Sequence, residues 1–267
     1  MNVKVKVKCI VAAAALSGLA STPMAQINIG GLNLDEGPIF EVASIYENVV
    51  TAVGQTLRGF GEVTQINGVQ IGDLCSGCEL TFRFDNYTVT SLAPESISFT
   101  GGVVNFYLGF GGANDFNPLA SASSAADLVA ATNGTLFLSL AGHAIDAAGN
   151  TFAGSGNNIG GVNAAGNGAG LADVTGGLAA AFFDSNGVAS SFGGLADVQL
   201  GSSFSNVFLP HPDECAGAGA TTGPSCLTGS ADFRGVINPI PEPSTYALML
   251  AGLGVVGFVA SRRRQQG

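Results

Sequence analysis

The 267-residue chain contains no tryptophan, and between Gln26 and Ile240 it contains no lysine. Three arginines, Arg58, Arg83 and Arg234, stand there against eighteen of the nineteen acidic residues, giving that body a formal charge of −15. Nucleic acid needs a basic footprint to displace its counterions, so this composition excludes it as a partner. Docking onto anionic lipid is disfavoured for the same reason. The lack of tryptophan weakens the case for an aromatic sugar platform. G-x-S-x-G, H-E-x-x-H and G-x-x-x-x-G-K-[ST] are all missing. His143 and His211 are the two histidines, the first inside an apolar strand pattern and the second between two prolines. No nucleophile, base and orienter can be assembled from these residues, so no catalytic residue is assigned and no enzyme is expected.

What is present points to an all-β body. The chain is 46% hydrophobic, too apolar for disorder, and its 40 glycines suit a protein with many tight turns. Phe40 to Val53 reads as a strand or short helix. Leu57 to Ile66 reads as a strand ending at the hairpin signal Asn67-Gly68. Glu79 to Thr90 alternates, with Leu80, Phe82 and Phe84 on one face. Ile97 to Phe99 and Val103 to Phe110 read as a hairpin turning at Gly101-Gly102. Thr135 to Ile145, Leu178 to Asp184, Asp197 to Phe204 and Ala231 to Ile237 complete the strands, and Ser123 to Ala131 is a short helix. Gly149 to Gly170 is low in complexity and reads as a surface loop. GLADV occurs twice, at 170–174 and 194–198. Recurring strands without long helices indicate a β-sandwich or jelly-roll-like domain over residues 26–240.

Cys75, Cys78, Cys215 and Cys226 lie in this body. An even count in an oxidising compartment reads as two disulfides, and proximity favours Cys75–Cys78 and Cys215–Cys226. The second would close a loop worth about 3 kcal/mol of chain entropy. Two alternatives compete: redox chemistry at the C-x-x-C, and a zinc set of both cysteines with His211 and Cys215. Asp115 with Asn117, and Asp184 with Asn186, offer clustered oxygens at turns, so calcium is the most credible ligand, although Asp and Asn also form turns unaided. No other cofactor is expected.

The two ends carry the addresses. At the N-terminus Lys4, Lys6 and Lys8 precede an apolar run from Cys9 to Ala20, a secretory signal over residues 1–25. At the C-terminus Pro241-Glu242-Pro243-Ser244 leads into an uncharged stretch, Thr245 to Ser261, then Arg262, Arg263 and Arg264. As a helix this stretch spans roughly 25 Å, enough for a single transmembrane helix with slight thinning of the bilayer. The arginines stop transfer and hold that end in the cytoplasm.

Residues 241–267 closely resemble the PEP-CTERM sorting signal of Gram-negative bacteria. The resemblance covers about a tenth of the chain. It implies that an exosortase cuts near Pro-Glu-Pro, after signal peptidase and the secretion machinery have placed an inner-membrane-anchored precursor. The body then reaches the outer envelope or the extracellular space. The expected role is structural or adhesive, with exopolysaccharide as the associated partner. Alternatives are a calcium- or carbohydrate-binding jelly-roll module and, lacking any motif, a secreted hydrolase.

Overall fold

The computed structural model describes residues 26–35, 37–161, 163–189, 194–205 and 227–237, together with His211 and Leu253. Its strands are β1 (Ile27–Ile29), β2 (Leu32–Leu34), β3 (Ile39–Glu47), β4 (Thr56–Ile66), β5 (Val69–Gln70), β6 (Cys78–Ala93), β7 (Ser96–Phe110), β8 (Thr135–His143), β9 (Phe152–Asn157), β10 (Ala165–Gly176), β11 (Val188–Ala189), β12 (Leu195–Ala196), β13 (Val198–Ser205) and β14 (Leu227–Gly235). Short helices α1 (Ile71–Leu74), α2 (Ser124–Ala130) and α3 (Ala180–Phe183) lie between them.

The main sheet closes on itself. β3 pairs with β4, β4 with β6, β6 with β7, β7 with both β8 and β9, and these two with β10. β10 pairs with β13, β13 with β14, and β14 returns to β3, every pair antiparallel. β8 covers Val103 to Leu108 of β7 and β9 covers Ser96 to Phe99, so the two are one strand broken by residues 144–151. The result is an eight-position barrel whose neighbours in sequence are neighbours in space. The all-β class stands. The order is a meander, however, without the Greek-key crossovers of a jelly roll among the described strands, and the layers packed across the core belong to one continuous sheet. Closure leaves no free edge around the ring, and an eight-stranded interior has room for side chains or one small ligand.

The pleat decides what fills it. On β6, Leu80, Phe82 and Phe84 point inward; beyond Asn86 the inward face changes to Tyr87 and Val89. The partner β7 changes at the same level, from Ile97 and Phe99 to Val104, Phe106 and Leu108. Asn86 has φ 63°, and Gly101 and Gly102 have φ 73° and 93°. A left-handed kink in both strands thus shifts the side-chain parity by one residue, as a bulge does. Gly101-Gly102 is therefore this kink inside one long strand, and the chain reverses instead at Pro94-Glu95. Asn67-Gly68 does make a tight reversal, with both residues at positive φ.

The glycine-rich stretch 149–170 supplies β9 and the first half of β10. The expectation of a surface loop fails because these glycines make room for rings. A β-carbon on Gly168 or Gly170 would run into Phe152, and one on Gly154 would press on Ile97. Low complexity here reflects close packing of rings against bare backbone.

One end of the barrel is covered. The β1–β2 hairpin, α1 and α3 contribute Ile29, Leu32, Leu34, Leu74 and Phe183 to the main core. Phe183 lies 5.7 Å from Phe40, ring centre to ring centre. Leu178 to Asp184, expected as a strand, instead turns into α3 after Gly177, whose φ of 100° suits glycine. On the outside of the barrel α2 begins at Ser123, whose hydroxyl accepts from the Ala126 amide. The Thr81 hydroxyl donates to the Ala131 carbonyl at 2.8 Å, tying the end of α2 to β6. Tyr46, Phe60 and Ala131 form a small outer core with Phe116 and Leu128.

Candidate functional site

At the other end, where β3 and β13 finish and β4 and β14 begin, the barrel interior holds an apolar cavity of about 90 Å³ that opens at its mouth. Phe84, Tyr87, Phe99, Phe152, Phe204 and Phe233 supply six rings to its wall. The buried Val49 and Val50 also line it. The strands set part of this lining: Phe84, Tyr87, Ile97, Phe99 and Val104 are the inward positions on either side of the kink.

Two lining residues carry ionisable groups, Glu47 and Tyr87. Glu47 ends β3 on the same parity as the buried Ile45, so its carboxyl points into the barrel. Burial pushes that carboxyl up to about 8. Tyr87 is only 5% exposed, and its ring stands 6.0 Å from Phe152 and 6.4 Å from both Phe84 and Phe99. Burial raises its phenol well above the ordinary range. Asn48, also at the mouth, is already committed: its amide donates to the Thr56 carbonyl at 3.0 Å and its oxygen accepts from the Arg58 amide at 2.8 Å. Neither Glu47 nor Tyr87 was singled out by the sequence reading. Glu47 interrupts an apolar run at an inward position, which is a legible signal. Tyr87 was hidden, because its inward orientation depends on the kink.

A second polar group lies outside the barrel. His211 Nε2 is 3.0 Å from Asp127 Oδ2 and 3.0 Å from Ser121 Oγ. One ring nitrogen meets both groups, whereas a hydrolytic relay places the acid on Nδ1 and the nucleophile on Nε2. Nearby, Glu79 accepts from the Phe116 amide at 2.9 Å. Burial, aided by the charges of Glu62 and Asp115, pushes Glu79 up to about 7 despite that hydrogen bond.

The expected site residues fall as follows. Cys75 and Cys78 are joined in a disulfide between α1 and β6. Two of the three thiols of the zinc set are thereby consumed, and its His211 sits against Ser121 and Asp127 instead. Asp115 Oδ1 accepts from the Asn133 side chain at 2.9 Å, and the Asn117 carbonyl accepts from Ala120 and Ser121. The turn holding Asp184 and Asn186 is organised by Asp197, whose buried carboxylate accepts from the amides of Ser185, Asn186 and Val174. Among the described residues, no three His, Cys, Asp or Glu side chains gather as a metal would need. Cys215, Cys226, Pro241, Glu242, Pro243, Ser244 and Arg262 to Arg264 lie outside the described residues, as does the apolar stretch between the last two groups apart from Leu253. No described helix is long and apolar enough to cross a membrane.

Comparison with known families bears on the C-terminus. Residues 239–264 match the PEP-CTERM protein-sorting motif. The chain carries a PEP-CTERM sorting signal. That signal marks an exported protein targeted to an exosortase and sorted to the cell envelope. No curated protein and no solved structure matches the chain. The sorting signal thus accounts for delivery and leaves the barrel to be read from its own geometry.

Proposed function

We propose that the protein is a non-catalytic, exosortase-processed component of the outer envelope or extracellular matrix, with a structural or adhesive role in contact with exopolysaccharide. The observation that carries this reading is the sorting motif at residues 239–264. The fold supports it. A closed barrel offers no ring edge for unwanted strand pairing, a useful property for a protein that works outside the cell. A body charge of −15 keeps copies apart and soluble.

Mass spectrometry of the mature C-terminus tests the processing. The expected product ends near Pro241 and lacks Arg262 to Arg264; a mature protein retaining these arginines refutes it. Fractionation tests the role. The processed protein should remain with the cell-associated matrix and be released into the medium by cells that make no exopolysaccharide. Equal release from both cell types removes the matrix role.

A further inference from the structure

The open end of the barrel has the attributes of a receptor more than those of a leftover void. Natural interiors are close-packed, with few voids larger than a water molecule. This one measures about 90 Å³, and a site of roughly 10–15 Å³ already holds a water. Its wall is apolar and aromatic, the composition typical of small-molecule sites. An engineered apolar cavity of about 150 Å³ encloses benzene. Here the void is smaller but, among the described residues, open at the mouth, so a ring can enter with its outer edge toward solvent.

Its polar equipment is sparse and unused. No described residue hydrogen-bonds the Tyr87 hydroxyl or the Glu47 carboxyl, while the neighbouring Asn48 already spends its amide on Thr56 and its oxygen on Arg58. Tyr87 is more than nine-tenths buried and lines the cavity. A buried hydroxyl normally finds a partner, and one left open to a cavity is positioned to receive it from a ligand. The backbone is shaped around it: a β-carbon on Gly102 would overlap the Tyr87 ring, so the glycine at the kink is what admits the ring at this place.

The charges select the ligand. Among the described residues, the lining contains one acid and no base. A ligand carboxylate would meet Glu47 and the strongly acidic body without a cation to pair with. A ligand ammonium would need an ionised Glu47, which the apolar surroundings oppose. A neutral head that both donates and accepts suits a phenol and an un-ionised carboxyl. We propose that the barrel mouth binds a compact aromatic or alicyclic molecule carrying a single uncharged hydroxyl, with its ring among Phe84, Phe99 and Phe152 and its hydroxyl on Tyr87 and Glu47. This reading is independent of the sorting and matrix role.

Calorimetric titration of the exported protein with benzyl alcohol, benzylammonium and benzoate at pH 7 tests it. These probes share a ring and differ in the charge of the head. The alcohol should bind, and benzoate should bind at least ten-fold more weakly. Tyr87→Phe, which keeps the ring, should weaken the alcohol about three- to ten-fold, the range for one hydrogen bond. Ala231→Leu adds bulk to the lining and should abolish binding while the protein stays folded by circular dichroism. Ser202→Leu, placed on the same wall, serves if Ala231→Leu does not fold. Failure of all three probes to bind overturns the proposal. So does benzoate or benzylammonium binding as tightly as the alcohol, or full binding by a folded cavity-filled variant.

Discussion

Gly59 on β4 and Phe84 on β6 face each other across the barrel wall, and the Phe84 ring occupies the space that a β-carbon on Gly59 would need. Gly61 stands in the same relation to Phe82, two residues along. The pairing lets large rings lie flat against bare backbone inside a narrow barrel. Phe82, Phe106 and Phe233 then meet at centre distances of 4.9–5.6 Å, a cluster in which edge-on and tilted contacts add to simple burial.

Gly59→Ala and Gly61→Ala should each destabilise the protein by about 1–3 kcal/mol, since the added carbon meets a backbone carbonyl as well as a ring. Gly72→Ala is the control. Its β-carbon would meet nothing, and the change should be neutral or mildly stabilising. Urea denaturation midpoints separate the two classes.

Stability should fall as pH rises from about 4.5 to 8. Glu47 is held up at about 8 and Glu79 at about 7, so the folded protein binds more protons than the unfolded chain across that interval. Below it both states are protonated, and the penalty disappears. Glu47→Gln should therefore gain on the wild type progressively between pH 5 and pH 8. Melting temperatures across this range provide the measurement; parallel curves for the two proteins would contradict the assignment.

Thr81→Val should cost about 1–3 kcal/mol, because it leaves the Ala131 carbonyl without its side-chain donor beneath α2. Thr81→Ser retains the hydroxyl and should recover most of the loss. Chemical denaturation of the two variants makes the comparison.

Replacing both Cys75 and Cys78 by serine should cost about 2 kcal/mol, a modest effect because so short a loop restricts the unfolded chain little. In a body of this size that corresponds to a fall in Tm of about 4–8 °C. Thiol titration of the native protein should find neither cysteine free.

Much of the architecture is legible in local patterns. The alternation at Leu80, Phe82 and Phe84 identifies β6, Asn67-Gly68 identifies a reversal, and Ser123 identifies the start of α2. Two of the misreadings share one cause. Gly101-Gly102 and the run from Gly149 to Gly170 have turn-like composition, yet both lie in the barrel wall. A glycine that opens a turn and a glycine that yields to a ring are the same residue; only the ring's position distinguishes them. The cavity was hidden for the same reason, since its lining comes from strands far apart in sequence.

The sequence by itself determined the destination and the class. The order of Pro-Glu-Pro, apolar stretch and arginines is contiguous, as is the alternation of strands, so both survive without three-dimensional information. Only the tertiary structure decided that the sheet closes, that its parity shifts at Asn86 and Gly102, and that Glu47 and Tyr87 meet at one mouth. These depend on which strands pair and on which face each residue presents after a kink. Such relations arise through long-range register and close packing, which no local stretch of chain contains.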